Sequence, residues 1–268
     1  VVLILQIVNL THLLKKKIYI IGDSHLGTLV FNDLKDRIIK KDYHLIISVV
    51  GGCLYFPGFD RVSVKTNKVN DQCNNDYFTN LKERLLKETN SIIVFGGRLP
   101  LYLTDQCFDN KEGGNICRWK EKSLSLGKYK TMQESFKNEV LELSKKNKII
   151  LTYPIPEVGW DPVKKIYLQW IKIKNRLNNT FDLKHLTTSY QVYKNRSKLS
   201  FQLLDSIQNT NIYRVYPHTL FCNTLIESRC ITHDGKNLLY SDDNHPSIKG
   251  IEIINNLIMK EINKIDQS

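Results

Sequence analysis

The sequence predicts an α/β domain in which helices cover both faces of a parallel sheet. Continuous apolar runs rich in β-branched residues alternate with amphipathic stretches along the 268 residues. Strands buried on both faces have such continuous runs, and their alternation with helices is typical of parallel sheets. The hydrophobic fraction of 41% is enough for a substantial core. We therefore expect one three-layer domain with about five strands.

The individual elements follow from these runs in chain order. The predicted strands are IYIIG at 18–22, HLIISVVGG at 44–52, SIIVFGG at 91–97, KIILTYP at 148–154 and the weaker IYRVYP at 212–217. Helical periodicity predicts helices over 26–40, 77–88, 132–146, 199–208 and 247–265. In the last helix Ile251, Ile254, Leu257, Ile258 and Ile262 share one face. The segments 53–76 and 100–130 are predicted as long irregular loops.

Six cysteines favour an oxidising compartment. None of them forms a C-x-x-C pair, which argues against a zinc site or a thioredoxin-like motif. Pairing in chain order would close short loops by joining Cys53 to Cys73, Cys107 to Cys117 and Cys222 to Cys230. Spacing alone does not establish this connectivity, and six free thiols in a cytosolic protein are the alternative. We prefer the three disulfides, and with them an extracytoplasmic location.

The first fifteen residues differ from the rest of the chain. Residues 1–14, VVLILQIVNLTHLL, carry no formal charge, and the chain begins with Val. A membrane-spanning helix needs about 20 apolar residues, so this leader is either the end of a truncated span or a linker. Lys15–Lys17 directly after it would favour the cytoplasmic side, but the cysteines argue for the outside and we give them more weight. We assign 1–15 to the leader and 16–268 to the catalytic domain.

The net charge of +12 does not identify a partner by itself. A basic excess suits acidic partners such as nucleic acid, anionic lipid or acidic polysaccharide. The chain is also generally rich in Lys, Asn and Ile, and its lysines are dispersed apart from 15–17. We therefore favour a compositional bias and predict no nucleic-acid partner.

Glycine-containing turns follow three successive predicted strands. They are Gly22-Asp23-Ser24, Gly51-Gly52 and Gly96-Gly97-Arg98. Ligands of parallel sheets bind beyond the carboxyl ends of the strands, so these turns should surround a site. A serine becomes a nucleophile only when a base takes its proton. Taken alone, however, the segment GDSH is an ordinary loop that caps a helix.

The base that suits Ser24 lies close to the C-terminus. His245 stands just before the last predicted helix, and Asp242 precedes it by three residues. A turn with this spacing can bring the Asp242 carboxylate to the ring nitrogen that does not face the serine. Asp243, two residues before the histidine, should point away or cap the final helix. On its own, this segment is also a plausible helix N-terminus.

Together these segments resemble the SGNH (GDSL-like) hydrolase superfamily, over most of the chain from about residue 16. IIGDSH resembles its first block, and YSDDNHPSIKG resembles its last. The resemblance is closest to the SGNH domain fused to acyltransferase family 3 membrane proteins. There the cysteine pair and D-G-x-x-L-Y-x-D-D-x-H-L-S-x-x-G are similar to CNTLIESRCITHDGKNLLYSDDNHPSIKG at 222–250.

The resemblance implies a flavodoxin-like α/β/α fold and a triad of Ser24, His245 and Asp242. It implies no cofactor and no metal. The superfamily's third block, G-x-N-D, normally supplies an oxyanion-binding Asn, but here Gly97-Arg98-Leu99 follows Gly96. Arg98 would supply a positive charge instead, or the backbone amides of Ser24 and Gly52 would suffice. A salt bridge or surface contact is the alternative role for Arg98.

The function implied by the resemblance is acyl-ester chemistry on a bacterial surface glycan. Ser24 would carry the acyl group, and the association of the fused subfamily with O-acetylation implies that this group is acetyl. The implied partners are an acyl donor, a glycan acceptor and an upstream acyltransferase membrane domain that tethers the chain at the periplasmic face of the inner membrane. A free-standing carbohydrate esterase is one alternative. An inactive glycan-binding domain is another, because the oxyanion Asn is missing.

Overall fold

The computed structural model describes residues 16–116, 120–175 and 186–268. Five parallel strands among these residues form the central sheet, and their bounds are β1 Lys17–Gly22, β2 His44–Val49, β4 Ile92–Gly96, β6 Lys148–Thr152 and β8 Ile212–Val215. Their order across the sheet is β2-β1-β4-β6-β8. Each of the five predicted strands is therefore confirmed, and so is the flavodoxin-like order with helices on both faces.

The helices of the described residues follow the strands along the chain. They are α1 Ser24–Leu29, α2 Lys35–Lys40, α3 Asn75–Leu86, α4 Leu99–Thr104, α5 Met132–Ser144, α6 Pro162–Lys174, α7 Tyr190–Asp205, α8 His218–Phe221 and α9 Ile248–Gln267. A π-helical turn, Val30–Leu34, joins α1 to α2. The helix predicted over 26–40 is thus a continuous helical segment with a π turn at its centre. The helix predicted from residue 199 begins earlier, at Tyr190, where the Ser189 hydroxyl caps it.

The side chains of β1 alternate between two cores on opposite faces of the sheet. Ile18 and Ile20 are buried in the core that contains Ile254 and Ile258 of α9, because successive residues of a strand point to opposite sides. Tyr19 and Ile21 are buried in the other core, with the inner residues of α3, α5 and α7. This arrangement brings Gly22 and the residues after it to the carboxyl edge of a sheet that is covered on both sides.

The two segments predicted as irregular loops contain regular structure. Strand β3, Phe59–Ser63, pairs antiparallel with β5, Glu121–Ser125. Helix α4 also lies largely within the second segment. The prediction of irregular loops was wrong for β3 and β5 because each of these short strands is stabilised by a partner far away in the chain. Outside the two segments, β7, Thr187–Ser189, pairs antiparallel with β9, Arg229–Ile231. Helix α6 was not predicted, because apolar residues occupy its solvent side as well as the side that packs against the core.

Two disulfides lie among the described residues. Cys53 pairs with Cys73 at a Cα–Cα distance of 5.5 Å, and Cys222 pairs with Cys230 at 3.8 Å. Both match the pairing in chain order. Cys117 lies outside the described residues, so the pair with Cys107 stays a prediction. The leader 1–15 also lies outside them. No helix within the described ranges has both the length and the apolar character that a membrane span requires.

Candidate active site

Ser24 is the first residue of α1 and directly follows the turn that ends β1. The Asp23 carboxylate, which is buried, caps this helix by accepting a hydrogen bond from the His25 backbone N–H at 3.0 Å. Its second oxygen accepts from the backbone N–H of Arg98 at 2.9 Å and from the Tyr102 hydroxyl at 3.0 Å. Asp23 therefore joins the ends of β1 and β4 and fixes the backbone that carries Ser24.

Gly97 allows this close approach of the two strand ends. Its φ of +150° is one that L side chains rarely adopt. A Cβ at this position would lie 2.8 Å from Asp23 Oδ1 and 2.5 Å from Leu54 Cδ1. The second glycine of the Gly96-Gly97 pair is thus required by the packing of the Asp23 carboxylate.

His245 connects Ser24 to Asp242 through its two ring nitrogens. The Ser24 Oγ lies 3.0 Å from Nε2, and Asp242 Oδ2 lies 2.8 Å from Nδ1. Because the Asp242 carboxylate can only accept, Nδ1 carries the proton and Nε2 accepts from the serine. The spacing matches a nucleophile, a general base and an orienting carboxylate, for which the nucleophile–base distance is roughly 2.6–3.2 Å. The structure thus brings together the three residues proposed as the triad.

The Asp242 carboxylate is held by the turn that it precedes. Its Oδ1 accepts from the backbone N–H groups of Asn244 at 2.8 Å and His245 at 2.7 Å. Partial burial would raise the pKa of Asp242, but these bonds and the His245 ring outweigh it and hold that pKa well below its usual range. Asp242 is therefore ionised at neutral pH and accepts the imidazole N–H.

Asp243 has a different environment from Asp242. It is buried, and its Oδ2 accepts from the Asn244 side-chain amide at 2.9 Å. Its backbone carbonyl accepts from the N–H groups of Val158 and Gly159. The final helix is capped by Ser247, whose hydroxyl accepts from Gly250 N. Of the two alternatives for Asp243, the helix cap is provided by Ser247 instead, and the Asp243 carboxylate contacts the Asn244 amide rather than the His245 ring.

A second hydrogen bond runs beside the Ser24–His245 contact. His25 Nε2 lies 2.8 Å from Asn244 Oδ1. The Asp243 carboxylate orients the Asn244 amide, so its oxygen faces His25, and His25 therefore carries its proton on Nε2. Burial lowers the pKa of His25 and keeps it neutral. The His25 and His245 rings meet edge to face, with centroids 5.2 Å apart.

Ser24 and His245 line an open cleft of about 190 Å³. The other lining residues are Asp23, Gly52, Arg98, Leu101, Tyr102, Cys107, Ile116, Asp242, Asp243 and Asn244. Both residues considered for the oxyanion hole, Gly52 and Arg98, are among them. No three His, Cys, Asp or Glu side chains in the described ranges are grouped in a way that would hold a metal ion.

The Arg98 side chain is engaged by a buried acid. Its Nε donates to Glu157 Oε1 at 2.6 Å, while Arg196 Nε donates to Glu157 Oε2 at 3.1 Å. Burial would raise the pKa of Glu157, but the two guanidinium groups outweigh it and lower that pKa. This contact corresponds to the salt-bridge alternative for Arg98, at the wall of the cleft. The oxyanion-hole assignment stays a proposal.

Several residues of this environment, Tyr102 among them, were not identified from the sequence. Asn244, Glu157 and Arg196 act through side-chain contacts between segments that are distant in the chain. The one available signal was Glu157 itself, an acidic residue within the apolar, proline-containing segment TYPIPEVGW. An acid in such a segment is buried only when it is paired.

Comparison with known proteins places the chain in a family. The family model described as "SGNH domain (fused to AT3 domains)" matches residues 9–260. Among solved structures, the periplasmic domain of a lipopolysaccharide acetyltransferase from Salmonella ser. Paratyphi A is similar at 18% identity and a TM-score of 0.58. That match covers 92% of this chain and 84% of the other. A search of curated proteins finds no match.

Two further structures have weaker likeness. One is a member of the lipolytic G-D-S-L family from Veillonella parvula DSM 2008, at 10% identity and a TM-score of 0.43, with 91% of this chain and 97% of that one covered. The other is a carbohydrate esterase family 2 enzyme with a carbohydrate-binding domain from Corynascus thermopiles. It has 10% identity and a TM-score of 0.45, with 95% and 67% covered.

The family model spans nearly all of the predicted domain. The Salmonella domain shares this fold. The chain belongs to the family of SGNH domains that occur fused to AT3 domains.

Proposed function

We propose that this chain is a serine-dependent acyl-ester enzyme that transfers an O-acyl group, such as acetyl, to a bacterial cell-envelope polysaccharide. The observation that carries the proposal is the hydrogen bonding of one imidazole, His245, to both Ser24 Oγ and Asp242. Membership of a family whose SGNH domains are fused to AT3 domains supports acyl chemistry and an acyltransferase membrane partner.

In the first half-reaction, His245 Nε2 takes the proton from Ser24 Oγ as that oxygen attacks the acyl carbonyl. Asp242 holds the Nδ1–H and stabilises the imidazolium that forms. The tetrahedral oxyanion needs donors, for which we propose the backbone amides of Ser24 and Gly52 together with the positive charge of Arg98. Collapse of this intermediate returns the proton to the leaving group and leaves the acyl group on Ser24.

In the second half-reaction, a sugar hydroxyl of the glycan loses its proton to His245 and attacks the acyl-enzyme. The acylated glycan leaves, and Ser24 recovers its proton. The open cleft is compatible with access by a polymer. The disulfides support an extracytoplasmic location, and we propose that a membrane domain tethers the chain there and supplies the acyl donor.

A fluorophosphonate probe tests the nucleophile. We expect the wild-type chain to be labelled, Ser24→Ala to lose labelling without loss of structure by circular dichroism, and Ser206→Ala, an exposed serine on a turn, to be labelled like wild type. Failure of the wild-type protein to react would contradict the enzyme and favour an inactive glycan-binding domain.

A second assay distinguishes transferase from esterase. The protein is incubated with an aryl acetate, with and without an envelope oligosaccharide, and acetylated sugar and free acetate are both measured. We expect acetylated sugar that depends on Ser24. Release of acetate at an unchanged rate, with no acetylated sugar, would identify a carbohydrate esterase instead.

A further inference from the structure

Helix α6 exposes apolar side chains on the side that faces solvent. Val163, Tyr167, Leu168 and Trp170 are 54%, 57%, 47% and 46% exposed, whereas Ile166 packs against the core. A surface helix ordinarily directs its apolar stripe to the core and its polar residues to water. Val163, Tyr167 and Trp170 are spaced at i, i+4 and i+7, so they form one continuous outer stripe. Clustered exposed apolar residues of this kind indicate a surface that contacts something else.

The same outer side of α6 is exclusively basic among its charged residues. Lys164, Lys172 and Lys174 are exposed, and residues 162–175 contain no Asp or Glu. Lys164 and Lys172 stand one turn before and one turn after Leu168, so positive charge flanks the apolar side chains. The partner of this surface should therefore be both apolar and negatively charged.

The ring geometry favours lipid over sugar. Platforms that bind sugars need free aromatic faces, but the Tyr167 and Trp170 rings stack on each other with centroids 6.1 Å apart and planes 22° apart. Lys174 Nζ lies 5.0 Å from the centre of the Trp170 ring. Val163 and Leu168 are aliphatic, so they can contact the lipid acyl chains just below the headgroups. Tyr and Trp are the side chains enriched where a membrane meets water, and lysines there extend to the headgroups.

We propose that α6 is a membrane-contact helix that lies in the surface of an anionic phospholipid bilayer. Its 13 residues reach only about 20 Å, which is too short to cross a hydrocarbon core of about 30 Å. A short helix with aromatic and basic residues lies in the interface plane instead. This inference stands on the surface of α6 and does not require the proposed catalytic reaction.

The position of α6 connects such docking to the cleft. The segment that leads into α6 is tied to the active-site turn, because Val158 N and Gly159 N both donate to the Asp243 carbonyl. Trp160, which follows, is buried, and α6 begins two residues later. Contact of α6 with a bilayer would therefore hold the cleft at a fixed orientation to the membrane.

Vesicle flotation tests the proposal. The purified chain is mixed with vesicles of phosphatidylcholine alone or of phosphatidylcholine with phosphatidylglycerol, and the bound fraction is measured. We expect binding to the phosphatidylglycerol vesicles and little to phosphatidylcholine. Replacing Lys164, Lys172 and Lys174 by Gln should reduce the partition coefficient by about a hundredfold, because each of these three lysines near an anionic surface contributes roughly fivefold. Tyr167→Ser with Trp170→Ser should reduce it by about tenfold as well.

Matched controls separate this surface from the overall charge of +12. Lys87→Gln, Lys236→Gln and Lys260→Gln together change the net charge by the same amount at exposed positions elsewhere, and they should bind like wild type. Phe31→Ser with Leu225→Ser, which also removes two exposed apolar residues, should do the same. Equal losses in control and α6 variants would show non-specific attraction and overturn the proposal, as would equal binding to both vesicle types.

A depth measurement uses the unmodified α6 surface. Brominated acyl chains should quench tryptophan fluorescence of the wild-type chain, and Trp170→Phe should remove that quenching while binding is largely kept. Quenching that is unchanged in Trp170→Phe, or absent from the bound wild-type chain, would overturn the insertion of α6.

Discussion

His25 Nε2 lies 2.8 Å from Asn244 Oδ1, and each of these residues is the chain neighbour of a member of the proposed triad. Ser24 precedes His25, and His245 follows Asn244. The Ser24–His245 and His25–Asn244 contacts are thus two adjacent bridges between segments about 220 residues apart in the chain. The buried amide–imidazole bond fixes the distance at which the serine and its base meet.

Asn244→Ala should therefore lower kcat by displacing His245 from its position beside Ser24. The change leaves the His25 Nε2–H buried without its acceptor, which should cost about 1–3 kcal/mol of stability. We expect kcat for an aryl ester to fall by about tenfold with little change in KM, because a misplaced base slows chemistry more than binding. Asn237→Ala, in the exposed turn before this segment, serves as the control. Equal kcat in wild type and Asn244→Ala would show that the second bridge has no role in positioning.

Asp242→Asn and Asp243→Asn should differ strongly in their effect on kcat. Asp242 accepts the His245 Nδ1–H, so its loss should reduce kcat by about 10⁴-fold with a small change in melting temperature. Asp243 contacts the Asn244 amide and not the His245 ring, and an asparagine there can still accept from that amide. Turnover and thermal unfolding of both variants provide the measurement. The reverse ranking would identify Asp243 as the orienting acid.

Glu157→Gln should destabilise the domain and alter its response to acid. The buried carboxylate is shared by Arg98 and Arg196, and removing one partner of a buried pair typically costs about 3 kcal/mol or more. Its folded pKa is lowered from the ordinary 4.5. The stabilisation of the folded state by the ionised Glu157 is therefore fully present above the ordinary pKa of 4.5, and it is lost as the pH falls through the lower folded pKa.

Denaturant unfolding from pH 7 to pH 3 measures this effect. The wild-type chain should lose stability below about pH 4.5 more steeply than Glu157→Gln. Glu142→Gln, on the exposed face of α5, should follow the wild-type curve. Parallel curves for wild type and Glu157→Gln would mean that Glu157 is not ionised in the folded protein.

Loss of the Cys53–Cys73 disulfide should weaken the domain and the cleft together. The bridge spans 20 residues, and cross-linking a loop of that length stabilises a protein by about 3 kcal/mol in the chain-entropy description. Gly52, a proposed oxyanion donor, is the neighbour of Cys53. We expect the Cys53→Ser, Cys73→Ser variant to unfold at a lower temperature and, at temperatures where it is folded, to have a lower kcat. The Cys222→Ser, Cys230→Ser variant is the comparison, and an equal effect of both on kcat would remove the link to Gly52.

The central sheet could be predicted from the sequence because each of its strands is recognisable from its own residues. A parallel strand buried on both faces must be apolar throughout, so IYIIG and SIIVFG reveal β1 and β4 without knowledge of their partners. The antiparallel pair of β3 and β5 has no such signature. Both strands are short, β5 is largely exposed, and each strand has its partner about 60 residues away. Helix α6 was not predicted because the apolar residues on its solvent-facing side weaken the amphipathic pattern by which a surface helix is recognised.

The sequence by itself determined the family, the layered fold and the segments that meet at the carboxyl edge. Gly22-Asp23-Ser24 and Asp242-x-x-His245 are chemical signatures that need no coordinates to be recognised. Only the tertiary structure decided which neighbouring acid does what: Asp23 caps α1 and joins two strands, Asp242 holds the His245 ring, and Asp243 orients Asn244. It also paired Arg98 with Glu157. The reason is physical, since a hydrogen bond depends on side-chain direction to within a few tenths of an ångström, and that direction is set by packing between segments far apart in the chain.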